Sequence, residues 1–134
     1  KTHYGVQDVM ILGGGKIGVK AARTLCDNKF NIKLIEIDKA RAKEIAEKIP
    51  NALVIKGDGR NVELLEEENI SEMDAFIAVT GNSETNIISS LVAKNRGVKK
   101  TIALVENMDY FELSHSIGID TLIKKLSRKN KGEK

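Results

Sequence analysis

The sequence predicts an α/β domain, doubly wound, with a parallel sheet of about six strands and helices on both faces. Three observations point there. Short apolar runs alternate with longer amphipathic segments along the chain, the pattern of repeated βαβ units. The first run opens directly onto the glycine-rich turn of ILGGGKIG. The second run ends in acid, as LIEID, about 20 residues beyond that turn.

Each element can be placed in order. The apolar runs Val9–Leu12, Ile32–Ile37, Ala52–Ile55, Ala75–Val79, Thr101–Val105 and Thr121–Ile123 read as strands. Between them, Lys16–Asn28, Lys39–Ile49, Val62–Glu68, Ser83–Arg96 and Tyr110–Ile117 read as helices. Ile17, Ala21 and Leu25 fall on one face of the first helix, and Ile87, Ile88, Leu91 and Val92 form the apolar stripe of the fourth. Asp38 and Ser83 stand where helix N-caps are needed, and Gly97 and Gly118 where a helix ends in a left-handed residue. Right-handed crossovers then place ligands outside the carboxyl ends of the strands, where strand order reverses.

With 134 residues the chain fits one domain. We expect residues 1–123 to form it, with 124–134 as a disordered basic tail. That tail, KKLSRKNKGEK, holds six Lys or Arg against one Glu, so a chain of net charge +3 has a mildly acidic body. The body shows no basic stripe interleaved with aromatics, which argues against a nucleic-acid partner. No stretch approaches the roughly 20 apolar residues of a membrane span. The start, KTHYGVQDV, lacks the apolar run of about 7–15 residues found in signal peptides. The lone Cys26 cannot form an internal disulfide and reads as a small core thiol.

The chemistry concentrates at the ends of the strands. Gly13-x-Gly15-x-x-Gly18 lies after a strand and opens a helix, the context of a Rossmann-type dinucleotide fingerprint. Gly13 permits the tight turn, Gly15 lets backbone amides approach a pyrophosphate, and Gly18 lets the helix lie close to the strand. Lys16 and Ile17 fall within this phosphate-binding turn, where Lys16 either adds charge or faces solvent. The P-loop spacing G-x-x-x-x-G-K-[ST] is absent. Glu36 is the acid placed to accept ribose hydroxyls, and its charge favours NAD over the 2′-phosphate of NADP, with Lys39 and Arg41 nearby. Asp58, after the third strand, either reaches the adenosine side or caps the next turn. Thr80 and Gly81, in the polar loop after the fourth strand, stand across the switch point to touch ribose or phosphate.

Taken together, ILGGGKIG, LIEID, the GDG of Gly57–Gly59, AVTGNSETNIISSLVAK and TIALVENMDYFELSHSIGIDTLI resemble the RCK family, also called KTN, of nucleotide-binding domains of potassium transporters and channels. The resemblance runs from Val9 to Ile123, and the GNSETN loop separates it from generic dehydrogenases. The wording LIEID and ALVIKGDG is similar to the second RCK repeat of the peripheral regulators of Trk-type potassium uptake. The resemblance implies NAD or NADH, or ATP and ADP as the alternative, held by Gly13, Gly15, Gly18, Glu36, Asp58, Thr80 and Gly81. It implies a homodimer or larger ring beneath a membrane potassium-translocating Trk subunit, in the cytoplasm at the inner face of the membrane. The chain departs from the family in reading Lys124-Lys125 where Ser-Pro is usual.

An enzyme would need a substrate pocket and a positioned acid or base besides the cofactor. His3 and His115 have no evident nucleophile beside them, and neither Tyr4 nor Tyr110 is followed four residues later by Lys. No metal-ligand spacing appears either. A regulatory domain with the nucleotide as effector is therefore expected, with no catalytic residue. The cofactor-binding half of an NAD-dependent oxidoreductase is the alternative. A redox-sensing DNA-binding protein ranks last, for want of a recognition helix.

Overall fold

A computed structural model describes residues 7–124. All six strands run parallel in one sheet, in the order β3-β2-β1-β4-β5-β6. They are β1 (Asp8–Leu12), β2 (Asn31–Glu36), β3 (Leu53–Lys56), β4 (Ala75–Ala78), β5 (Lys100–Val105) and β6 (Asp120–Ile123). The helices are α1 (Lys16–Asp27), α2 (Lys39–Lys48), α3 (Val62–Glu67), α4 (Ser83–Asn95) and α5 (Met108–Ser116). A 3₁₀ turn at Ile70–Glu72, not expected from periodicity, brings the chain into β4. This is the doubly wound order, and it reverses between β1 and β4. The basic tail, His3 and Tyr4 lie outside the described residues, Lys124 excepted.

Alternation along the central strand sorts the core into two layers. Val9 and Ile11 of β1 pack with Ala22 of α1 and Ile45 of α2 on one face. Met10 and Leu12 pack with Leu65 of α3 and Ala93 of α4 on the other. Ile87 of α4, Ala103 and Val105 of β5 and the α5 residues Tyr110 and Phe111 continue that second layer. Fully buried side chains such as Phe76 and Leu34 each stabilise the fold by about 1.5–3 kcal/mol. Leu12 is paired with both Ile35 and Ala78, so β1, β2 and β4 end level and release Gly13, Glu36 and Val79 at one edge.

Two helical faces are rolled away from the sequence reading. On α1 the buried positions are Gly18 and Ala22, leaving Ile17 39% exposed. The close approach of Gly18 to the turn sets that roll. On α4 the sheet-facing residues include Asn86, Ser89, Ser90 and Ala93, and Ile88 is 59% exposed. Small side chains let this helix lie flat on the sheet. Asp38 caps α2 as expected, accepting the Arg41 N–H at 2.9 Å. The cap of α4 is Asn82, which accepts the Thr85 N–H at 2.7 Å, and not Ser83. Gly97 and Gly118 adopt φ of 94° and 81°, as expected of helix-terminating glycines.

Candidate nucleotide site at the switch point

The β1–α1 turn is built by glycines with different duties. Gly13 has φ of 111°, and a Cβ there would stand 2.9 Å from the Thr80 nitrogen, so the turns after β1 and β4 touch. A Cβ on Gly18 would collide with the Gly13 carbonyl oxygen. Gly15 is the contrast: no protein atom lies within 4 Å of its would-be Cβ. Packing leaves room for a side chain at Gly15. Gly15 also begins α1 without a side-chain cap and with no acid in the first turn, so the positive end of the helix stands open beside it.

Glu36, at the end of β2, is 7% exposed. Its Oε1 accepts the Gly14 N–H at 2.7 Å and its Oε2 the Asp38 N–H at 2.8 Å. A carboxylate has about four acceptor positions, so two remain for another partner. Gly14 was not singled out from the sequence, yet a Cβ there would meet Glu36 Oε1 at 2.7 Å and also strike the Ile45 side chain. The run of three glycines was its signal.

Asp58 forms the next corner. Its Oδ1 accepts the Arg60 N–H at 2.9 Å, the capping geometry expected as one of its two roles. The Arg60 guanidinium closes on the same carboxylate, with Nη2 2.8 Å from Oδ2. Hydrogen bonds from the Arg60 side chain and backbone hold the Asp58 carboxyl down to about 2, from an ordinary 3.8. Arg60 went unnoticed in the sequence, where a charged residue two places past an aspartate carries no signal of its own.

Across the switch point, the turn after β4 is fastened from within. The Thr80 N–H donates to Asn86 Oδ1 at 3.0 Å, and the Thr80 hydroxyl donates to the same oxygen at 2.6 Å. Both Thr80 donors thus point inward. Gly81 leaves open space where a Cβ would be, as Gly15 does on the opposite side.

These corners enclose one cleft of about 440 Å³, within the usual range of small-molecule sites. Gly13, Gly14, Gly15, Glu36, Asp58, Arg60, Thr80, Gly81 and Asn82 all line it. Lys16 does not; it lies with Lys20, Arg23 and Arg41 on an adjoining basic groove between α1 and α2 that shares Gly14 and Gly15 with the cleft. Ile17 and Gly18 lie on the first turn of α1, outside the cleft lining. His115 is exposed on α5, stacked 6.4 Å from the Phe111 ring. Cys26 packs at the margin of the first core layer, and burial raises its thiol pKa. Among the described residues no cluster of three His, Cys, Asp or Glu could hold a metal ion, and no helix is long and apolar enough to cross a membrane.

The chain is similar to known proteins in sequence and in fold. A Trk system potassium uptake protein TrkA homolog of Methanosarcina mazei is 43% identical over 116 residues, which is 86% of this chain and 26% of the relative. The chain spans about a quarter of the length of several such relatives. Among solved structures, the TrkA-N domain of the inner membrane protein ybaL from Escherichia coli superposes with a TM-score of 0.78 at 15% identity, covering 98% of this chain and 96% of that one. The GsuK channel bound to NAD superposes with a TM-score of 0.75 at 17% identity, covering 88% of this chain and 21% of that one. These two likenesses are of fold. The TrkA-N domain model matches residues 9–125, and the chain belongs to the TrkA-N domain family.

Proposed function

We propose that this chain binds NAD or NADH across the carboxyl edge of the sheet, with ATP or ADP as the competing occupant, and acts as a regulatory domain of Trk-type potassium uptake. The observation that carries the reading is the pair of open glycines, Gly15 after β1 and Gly81 after β4, both lining a ligand-sized cleft at the strand reversal. Such a cleft takes a dinucleotide with one half on each side. Gly15 and the first turn of α1, at Lys16, Ile17 and Gly18, would hold the pyrophosphate, and Gly13 shapes the turn. Glu36 would accept ribose hydroxyls with its two remaining acceptor positions, Asp58 with its Arg60 would flank the adenosine side, and Thr80 and Gly81 the other half.

The nucleotide is an effector in this reading and not a reactant. Among the described residues, no His, Cys, Lys or Tyr lines the cleft. Its carboxylates are engaged, Glu36 by backbone N–H groups and Asp58 by Arg60, so no poised acid or base stands at the site. An effector acts by binding one state of an assembly better than another. The names of the relatives support a part in Trk-type potassium uptake; a membrane potassium-translocating partner, with this domain at its cytoplasmic side in a homodimer or larger ring, is what the RCK resemblance adds to the reading.

Calorimetric titration with NADH, NAD, ATP and ADP tests this, repeated on Glu36→Ala. Micromolar binding of NADH or NAD that weakens in the variant supports the site. Binding of ATP or ADP alone changes the occupant and keeps the regulatory reading, and binding of none of the four removes it.

A further inference from the structure

Asn86 lies in the second turn of α4, 1% exposed and outside the cleft lining. Its side-chain oxygen accepts both the N–H and the hydroxyl of Thr80, at 3.0 and 2.6 Å. Its side-chain nitrogen donates to the Thr80 carbonyl at 3.0 Å and to the Leu104 carbonyl on β5 at 2.8 Å. All its hydrogen-bonding capacity is therefore spent, most of it on one residue of the cleft wall. By engaging both backbone polar groups of Thr80, it holds the chain as a neighbouring strand would, at a point past the end of β4 where the ladder has stopped. The Ser83 hydroxyl, accepting the Glu106 N–H at 3.2 Å, adds a second tie to the segment after β5.

We propose that Asn86 is a positioning residue for the second half of a dinucleotide: acting through Thr80, it fixes the 80–82 turn so that the open Gly81 backbone meets that half. The proposal rests on the nucleotide reading above. Its specificity follows from where the turn stands. Glu36 and Asp58 lie at the ends of β2 and β3, on one side of the strand reversal, and the turn held by Asn86 lies on the other, after β4. A dinucleotide spans both sides. An adenine mononucleotide needs only the glycine-rich turn and the β2–β3 side. Loosening the 80–82 turn therefore penalises the dinucleotide selectively, because ordering a released turn is a cost that only a ligand touching it must meet.

The experiment titrates the chain with NADH and with AMP, in wild type, Asn86→Ala, Asn86→Asp and Ile70→Val. Asn86→Asp keeps the two bonds accepted from Thr80 and turns the two donated ones into a carboxylate oxygen set against the Thr80 and Leu104 carbonyls, so it loosens the tie by a different route from alanine. Ile70→Val is a core control in the same layer, outside the cleft lining. Either Asn86 variant is expected to weaken NADH by at least about fivefold, the lower end of what an unsatisfied buried amide costs. AMP should stay within about twofold, and Ile70→Val should leave the NADH-to-AMP ratio unchanged. A merely structural role would weaken both nucleotides together, and that result overturns the proposal. So does an unchanged ratio in the folded variants. Wild-type binding of neither nucleotide removes the nucleotide reading itself, and the proposal with it.

Discussion

Glu36 and Gly14 are joined by a 2.7 Å hydrogen bond in which a buried carboxylate accepts the N–H of the glycine-rich turn. The residue best placed to meet a ribose is thus also the latch that binds the turn after β1 to the end of β2. Its second oxygen, on the Asp38 N–H, extends the latch to the start of α2. Three segments of the cleft wall converge on one side chain.

It follows that Glu36→Ala harms the ligand-free protein. Two N–H groups lose a charged acceptor at a buried position, which costs about 1–3 kcal/mol. A fall in Tm of several degrees without ligand is expected, with a smaller fall for Glu36→Gln, which keeps one acceptor. An alanine variant that melts with wild type would mean that the latch contributes nothing to stability.

The two glycines flanking Lys16 and Ile17 should separate stability from binding. Gly18→Ala drives a Cβ into backbone that cannot yield, so we expect a loss of about 1–3 kcal/mol, as for other overpacked sites. A Cβ on Gly15 meets nothing beyond its chain neighbours and the φ of −76° suits alanine, so in Gly15→Ala the unfolding free energy from denaturant titration should change by less than about 1 kcal/mol. Nucleotide binding should nevertheless fall, because the new methyl occupies the space left for the ligand. Loss of stability at Gly15, or unimpaired nucleotide binding by Gly15→Ala, contradicts the division of labour.

Much of this was legible in the sequence, and what was not has a common cause. The order of strands and helices, the glycine fingerprint and the Asp38 cap are local patterns, and each appears within a residue or two of its expected place. The exposure of Ile17 and Ile88 was not legible, because helix roll is set by tertiary contact: the approach of Gly18 to Gly13, and the row of Ser89, Ser90 and Ala93 on the sheet. Asn82 and Ser83 are both good caps side by side, and only the fold shows that Ser83 turns inward to Glu106. The Glu36 latch, the Asp58–Arg60 pair and the Asn86 tie join side chains to partners whose geometry no spacing rule records.

The Asp58–Arg60 pair makes a prediction in pH. Asp58 titrates at about 2 in the folded chain against an ordinary 3.8. A depressed carboxyl contributes stability that is present above its unfolded pKa and lost as pH falls through the folded one, so the window is about pH 4 to 2. Arg60→Ala should return the Asp58 carboxyl toward its ordinary value, read by carboxyl carbon chemical shifts. Any stability difference from wild type should be constant near neutrality and shrink below about pH 4. It will be small, because the pair is well exposed to solvent. An Asp58 titration unmoved by Arg60→Ala contradicts the assignment.

The same Glu36 carboxylate governs which dinucleotide is admitted. A ribose 2′-phosphate would bring two negative charges against a buried carboxylate, so wild type should prefer NADH over NADPH by about tenfold or more. Glu36→Gln keeps the shape of the side chain and removes its charge. Arg41 then matters: its Nη1 lies 3.4 Å from the Gly14 carbonyl, at the rim of the basic groove that also carries Lys16 and Lys20. In the glutamine variant these cations face the phosphate without an opposing acid, and the NADH-to-NADPH ratio should move toward parity. Adding Arg41→Ala to Glu36→Gln should move it back, because the phosphate loses the guanidinium that lies beside the Gly14 carbonyl. Paired titrations of the three proteins at one salt concentration read these ratios, since exposed cations are screened by salt. Equal affinities in wild type mean that the cleft does not discriminate, and a ratio unmoved by Glu36→Gln places the discrimination elsewhere on the cleft wall.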